Sequence, residues 1–469
     1  MDRKEAIHFY IRVFGLALPI AAQSLITIGV NMLDTMMVGS LGDNALSATS
    51  LANSFISVFQ IFCMGLGMGA SVLVSRYWGM KHSAEDEQAK QAAVALKQTV
   101  CLMLRLTVIL ATIFAFLTFI VPDMIMRTYT GDANIIALGV RYFRYSILTY
   151  YFVGISLVTT IVLRSVGQVV LPLAVSIGAF FVNLSMNYIL IFGKFGAPRM
   201  EVAGAALGTL LARIFELALI LGYLLFIDKK ILFRIKDFFM ETRSLLSEYI
   251  RISIPVLISD AILAIGNNSV AMVIGHLGGI FVAANAITSV TQQLSSVVIS
   301  GVSQAGAIVT GITLGEGDKE RTMKQGYRFF GLGLFLGVLS AAFIVAFSGQ
   351  IIGYYKNVSE ETVMIAKQLM NAICLIIVFQ GTNSIMTKGV LRGGGDTRIL
   401  MVADNVFLWV IAIPLGIFAG FYLKTSAFWI YICLKSDQIL KTFWAFLRLR
   451  SQKWIKKIDT KGTKEYNKI

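Results

Sequence analysis

From Leu16 to Gly39 the chain reads LALPIAAQSLITIGVNMLDTMMVG. At a rise of about 1.5 Å per residue this run covers a hydrocarbon core of about 30 Å, so it predicts a membrane-spanning helix. Its polar residues are not scattered. Gln23, Thr27, Asn31 and Asp34 recur at steps of four, four and three, which at about 100° per residue places them on one stripe under about 90° wide. That stripe must face protein or water. Asp34 is its costly member: a carboxylate inside a spanning helix costs on the order of 3 kcal/mol and marks a functional position by default. The alternative is a solvated acid at the helix end, beside the turn from Gly39 to Asn44.

Comparable apolar runs predict further spans at about Ala45–Ser75, Gln98–Val121, Ile135–Leu163, Val169–Phe192 and Gly204–Ile227. A second set lies at about Ile252–Val273, Phe281–Thr310, Phe329–Phe347, Thr362–Val390, Ile399–Phe421 and Ala427–Phe446. The two sets repeat. At an offset of 236, Pro255 falls on Pro19, IGHLG (Ile274–Gly278) on VGSLG (Val38–Gly42), Asn267 on Asn31 and Gly301 on Gly65; LRGGGD (from Leu391) falls on LRSVGQ (from Leu163) at an offset of 228. Two parallel repeats related by an axis along the membrane normal are a transporter architecture, with the site between lobes. The chain is therefore expected to be an all-α polytopic membrane protein of about twelve transmembrane helices in two pseudo-symmetric six-helix lobes. Residues 1–227 make the N-lobe, 228–251 a basic cytoplasmic linker, 252–447 the C-lobe and 448–469 a basic cytoplasmic tail.

Composition agrees: 57% of the 469 residues are hydrophobic, 14% are charged, and the mean hydropathy is +0.75, more apolar surface than a soluble protein can hide. A transmembrane β-barrel is excluded, since it needs short alternating segments. The net charge of +15 follows the positive-inside rule rather than indicating nucleic acid. Basic residues in the leading segment, in the Arg76–Lys97 loop, in the linker and in the tail place both termini in the cytoplasm. No cleavable signal peptide is expected, because the first apolar run is too long. Cys63, Cys101, Cys374 and Cys433 lie in or beside apolar runs without metal-ligand or disulfide spacing and read as core residues.

Matching polar stripes run along the second and eighth spans: Thr49, Asn53, Ser57 and Gln60 in one, Asn285, Ser289, Gln293 and Ser296 in the other. A polar face is costly against lipid, so both are expected to line a substrate cleft with Gln23, Thr27, Asn31, Asp260 and Asn267; interhelical hydrogen bonding is the alternative. Asn183 and Asn187, four apart, can bind a cation through their amide oxygens or hold a carboxylate in place. Asp260 and Asp404 are further intramembrane acids, whereas the repeat position of Asp34 is Val270. Arg213 and Glu216 are expected to neutralise each other. LRGGGDTR, with no Lys followed by Ser or Thr and no preceding strand, is a turn and not a phosphate-binding loop. The Gly65, Gly67, Gly69 and Gly333, Gly337 sets suggest close helix packing. With no ATPase motif, transport must draw on an ion gradient.

PIAAQS and DTMMVGSLGDNALSA in the first span and turn, IPVLISD and IGHLGG in the repeat, LRSVGQ, LRGGGDTR, Asp404 with IPLG, and the terminal LRLRSQKWIKK together resemble the multidrug and toxic compound extrusion (MATE) transporters over nearly the full length. The resemblance implies two six-helix lobes that open alternately to either side, exporting small organic cations against entry of H⁺ or Na⁺. It implies a coupling site at Asp34 with Asn183 and Asn187. Other members use acids on helices seven and ten, where this chain has approximately Leu263 and Gly381, which moves the expected site to the N-lobe. The protein is then a multi-pass cell-membrane antiporter, not an enzyme, without a cofactor beyond the coupling ion, without nucleic acid, and a monomer in the bilayer. A flippase for lipid-linked oligosaccharides is the alternative and would want an Arg- or Lys-rich cleft; a membrane transferase or a passive channel are the others.

Overall fold

A computed structural model describes residues 3–83, 85–354 and 359–456 of the chain; the basic tail from Lys457 onward lies outside the described residues. Among the described residues the regular structure is helical throughout. The first half holds α1 (Arg3–Gly39), α2 (Asp43–Ser83), α3 (Asp86–Ile120), the short α4 (Pro122–Arg127), α5 (Ala133–Ser146), α6 (Thr149–Ser165), α7 (Val170–Phe192) and α8 (Val202–Gly222). The second half holds α9 (Arg243–His276), α10 (Gly279–Gly315), α11 (Lys319–Tyr354), α12 (Glu360–Ser384), α13 (Thr397–Asn405), α14 (Ile413–Ile417), α15 (Ala427–Leu434) and α16 (Ser436–Arg450). Widened π-helical turns at Ile385–Leu391, Val406–Ala412 and Phe418–Tyr422 extend α12 and link α13 to α14 and beyond.

Ten helical segments among the described residues are long and apolar enough to cross a membrane, and α5 with α6, bent by 59°, makes an eleventh. The bend divides the expected Ile135–Leu163 span at residues 147–148. The last expected span, Ala427–Phe446, differs more. It breaks at Lys435 into α15 and α16, because Lys435, Asp437 and Lys441 interrupt the apolar pattern and, as shown below, two of them are engaged inside the protein.

The repeat is visible in the backbone. Gly42 and Gly278, 236 positions apart, both have positive φ, +111° and +118°, and Gly167 and Gly395, 228 apart, have +74° and +81°. Such values suit residues without a Cβ, so each offset found in the sequence corresponds to a pair of equivalent turns.

The chain forms two compact units whose boundaries fall inside helices rather than in the linker. Among the described residues, one contains 22–81 and 85–257; the other contains 3–21, 82–83, 258–354 and 359–456. The crossing points, after Ala21 in α1 and after Leu257 in α9, are again 236 apart. Each lies just past a helix-interior proline, Pro19 or Pro255, which lacks the amide that would bond the carbonyl four residues back. Packing within each unit follows this exchange. A Cβ on Gly65 of α2 would lie 2.7 Å from Leu257 of α9, and one on its counterpart Gly301 of α10 would lie 2.5 Å from the Ala17 carbonyl of α1. On α11, Gly333 and Gly337 similarly meet the backbone of α12 at Thr382 and Val378, at 2.8 and 2.6 Å. Gly301→Ala is therefore expected to destabilise the protein by about 1–3 kcal/mol through overpacking, measured as a lower melting temperature in detergent. Gly331→Ala, where a Cβ meets nothing within 4 Å, serves as the control.

The 228–242 stretch is held to its own unit. Asp228 accepts from the Ile231 and Leu232 amides at 2.7 and 3.0 Å, Lys97 pairs with Asp237 at 3.0 Å, and the Arg105 guanidinium donates to the Phe238 and Met240 carbonyls. At the other end of the chain, Arg448 grips Asp396 of the LRGGGDTR turn at 2.7 and 3.0 Å, and Trp454 is fully buried against Gly394.

Candidate polar sites within the two units

In the unit containing residues 22–257, α1, α2, α5, α7 and α8 bring polar side chains together. The i, i+4 spacing on α7 puts Asn183 and Asn187 on one buried face, and that face meets Asp34 on α1. Asn187 Nδ2 donates to Asp34 Oδ1 at 2.7 Å and also to Asn183 Oδ1 at 3.3 Å. Asn187 Oδ1 is buried and has no hydrogen-bond partner. It lies against Gly208 of α8, where the absence of a Cβ makes room for the amide.

Tyr142, absent from the sequence reading, and Arg213, present in it only as the partner of Glu216, complete this cluster. Tyr142 of α5, buried, donates its hydroxyl to Asn53 Oδ1 of α2 at 3.1 Å, and it is near enough to Asp34 to interact with its charge. Arg213 of α8 also acts electrostatically on Asp34, but its guanidinium is engaged by Glu216 at 2.6 Å, the mutual neutralisation expected from their spacing. Nothing local in the sequence pointed to Tyr142, since its partners lie on helices far along the chain. About three turns earlier on α1, Gln23 donates to Ser176 Oγ at 2.6 Å and accepts from Arg164. The rest of the stripe is open: Thr27 and Asn31 are exposed, Thr27 bonding back to the Gln23 carbonyl at 3.0 Å.

The other predicted cleft residues are more dispersed. Ser57 is exposed and bonds its own helix, as does half-buried Ser289; Asn285 is half-buried and Gln293 exposed. Beside them Gln292, not singled out from the sequence, accepts from Tyr431 at 3.0 Å and donates to Gln380 at 2.8 Å. Asn267 accepts from Lys435 at 3.4 Å.

The second unit treats its acids differently. Asp260 on α9 is held by Arg392, with Nη2 to Oδ1 at 3.0 Å and Nη1 to Oδ2 at 3.3 Å, and the Arg392 side chain is 5% exposed. Asp404 on α13 pairs with Lys441 of α16 at 3.2 Å. Of the three aspartates singled out from the sequence, Asp34 alone has no ion pair among the described residues; its direct partner is the Asn187 amide. No group of three or more His, Cys, Asp or Glu side chains able to hold a metal ion occurs among the described residues. What the Asp34 cluster offers instead is one carboxylate, two amide oxygens and a phenol, a donor set that suits a proton or a single monovalent cation.

Gly208→Ala is expected to displace the Asn187 amide from Asp34 with little effect on folding, because the added methyl would press on Asn187 Oδ1, a side-chain end that can move, and lie 3.1 Å from the Asn187 backbone nitrogen, which needs a shift of a few tenths of an ångström. A partial loss of transport at an unchanged melting temperature checks it.

The MatE family model matches residues 19–189 and again 255–418, one match in each half of the chain. Among similar curated proteins, the multidrug resistance protein NorM of Burkholderia vietnamiensis is 26% identical, covering 88% of this chain and 87% of its own. The probable multidrug resistance protein NorM of Thermotoga maritima is 25% identical, covering 97% and 96%. An uncharacterized transporter of Bacillus subtilis, YisQ, is 22% identical over 95% of each. Among solved structures, the outward-facing conformation of a multidrug resistance MATE family transporter superposes with a TM-score of 0.81 at 19% identity, over 94% of this chain and 96% of that one. A Vibrio cholerae MATE transporter gives 0.84 at 17% identity, over 97% and 100%.

Proposed function

The chain belongs to the MatE family of membrane transporters, and from that membership we propose that it is a secondary antiporter, exporting small organic cations from the cell in exchange for H⁺ or Na⁺ by alternating access. The multidrug names of its NorM relatives support the substrate class. The observation that carries the coupling mechanism is the state of the three aspartates. Asp260 and Asp404 are neutralised by Arg392 and Lys441, whereas Asp34 makes no ion pair among the described residues: Asn187 donates a hydrogen bond to it, and Arg213, itself paired with Glu216, acts on it only at a distance.

A carboxylate already locked to a buried cation gains little from an incoming ion. A carboxylate restrained by an amide keeps its position and still accepts a proton or a sodium ion. Taking up that ion changes the net charge of the Asp34 cluster, and a ligand shifts a conformational equilibrium only through such differential binding. Here binding at Asp34 biases the transporter between its outward and inward states. One H⁺ or Na⁺ entering for one monovalent cation leaving moves no net charge, so the ion's own concentration gradient drives that exchange; a second ion per cargo would add the membrane potential, about 2.3 kcal/mol per net charge per 100 mV. The basic residues of the loop after α2, the linker and the tail support a cell-membrane orientation with both termini cytoplasmic.

The test is efflux of a fluorescent organic cation such as ethidium from cells expressing the chain, with the proton and sodium gradients collapsed separately. The antiport reading expects extrusion that stops when one of the two gradients is removed. Extrusion that persists without either gradient contradicts it, and an absence of dye movement from well-expressed protein contradicts the substrate class and favours an amphiphile flippase.

A further inference from the structure

Lys441 lies between two carboxylates in the interior of its unit. Its Nζ is 3.2 Å from Asp404 Oδ1 and 3.1 Å from Asp437 Oδ2, and the three side chains are 3%, 6% and 3% exposed in the order Lys441, Asp404, Asp437. The surroundings supply further oxygen and amide groups. Ser259 donates to Asp404 Oδ2 at 3.0 Å, Gln438 Nε2 donates to Asp437 Oδ2 at 2.7 Å, and Asn383 Nδ2 donates to Gln438 Oε1 at 2.8 Å. Two acceptors in this network, Asp437 Oδ1 and Asn383 Oδ1, are buried without any hydrogen-bond partner, on residues 2% and 6% exposed.

Two buried carboxylates converging on one point require a positive charge there. Hard cations without a directional preference are bound by just such carboxylate, amide and hydroxyl oxygens. The chain fills the position with an ammonium from its own α16, one turn after Asp437, and leaves the second oxygen of Asp437 spare beside it, with that of Asn383 in the network behind. We infer that Asp404 and Asp437 form a monovalent-cation site permanently occupied by the tethered ammonium of Lys441, so that this unit carries a resident cation and exchanges none. The buried ion pair then does more than hold α13 to α16: it closes to solution cations a site that the backbone and the oxygens have already built. The inference stands on this geometry and does not depend on the antiport reading.

Removing the ammonium should open the site. Lys441→Ala is purified in detergent in sodium chloride and, in parallel, in choline chloride of equal ionic strength, with the intact chain as baseline and Lys441→Ala/Asp437→Asn as the second variant. The yield of monodisperse protein and the melting temperature are read in each salt. The expected result is that Lys441→Ala gains stability from sodium beyond any gain by the intact chain, recovering more folded protein and melting about 2–4 °C higher than in choline. The double variant should lose that gain. An equal response of Lys441→Ala and the intact chain, equal loss of folded Lys441→Ala in both salts, or a sodium gain that survives in the double variant would each overturn the inference. Because no transport is measured, a failure of the antiport reading leaves every one of these outcomes unchanged.

Discussion

Asp34→Asn is expected to reduce gradient-driven export of an organic cation to the level of cells lacking the protein, with the variant present in the membrane in normal amount. The substitution keeps nearly everything that the structure shows. An Asn at this position has the same shape, and its amide oxygen can accept the bond that Asn187 Nδ2 now gives to Asp34 Oδ1 at 2.7 Å. No ion pair is broken, because among the described residues none is made there, so the stability change should stay within the ~1 kcal/mol typical of a single hydrogen bond. What disappears is the ability to exist in two charge states. Without it the cluster cannot bind the driving ion differently in the two transport states, and equal binding shifts no equilibrium however tight it is. The measurement is dye efflux normalised to membrane content, and efflux by Asp34→Asn at the normal rate would reduce Asp34 to a solvated acid near the helix end.

Arg392→Met is expected to fail earlier, at folding. The guanidinium meets Asp260 through two bonds, 3.0 and 3.3 Å, with only 5% of its side chain exposed. Deleting it leaves Asp260, whose side chain is 21% exposed, without its ion pair, and breaking a fully buried pair from one side costs about 3–5 kcal/mol, an upper bound for this half-buried acid. That is a large part of the ~5–15 kcal/mol that stabilises a typical domain. Removing both charges is far cheaper, since an apolar pair of similar volume often matches a buried salt bridge. Arg392→Met alone should therefore lower the melting temperature or abolish recovery, while Asp260→Leu/Arg392→Met should recover most of it. If the single variant melts like the intact chain, the pair contributes nothing; if the double is no better than the single, Arg392 acts through its packing and not through Asp260.

These two acids show which features were legible in the sequence. Hydropathy located the spans, because a ~20-residue apolar run has few other uses. The repeat offsets located equivalent turns, as the positive φ of Gly42 and Gly278 confirms. The stripe on the first span pointed to Asp34, and helical spacing put Asn183 and Asn187 on a shared face. Pairing between distant helices was not legible. Whether an intramembrane Asp is free or neutralised depends on residues such as Arg392, 132 positions from Asp260, and nothing in the local pattern of either names the other. Lys441 and Asp437 were hidden for a different reason: they lie in the middle of the expected Ala427–Phe446 span, and their spacing does not show that Asp404, on another helix, meets the same ammonium. The exchange of helix halves between units at Ala21 and Leu257 left its traces in the equivalence of Pro19 with Pro255 and of Gly65 with Gly301, since apolar periodicity does not say which bundle a helix joins.

The central claim is coupling through Asp34, and reconstituted vesicles test it most directly. Purified intact chain and Asp34→Asn are each placed in proteoliposomes, a proton or a sodium gradient is imposed, and the luminal concentration of an organic cation is followed with and without an ionophore that collapses the gradient. The account predicts that the intact chain drives the cation above its equilibrium level under one of the two gradients, that the ionophore abolishes the accumulation, and that Asp34→Asn produces none. Equilibration of the cation by the intact chain irrespective of any gradient, or accumulation by Asp34→Asn equal to that of the intact chain, would contradict it.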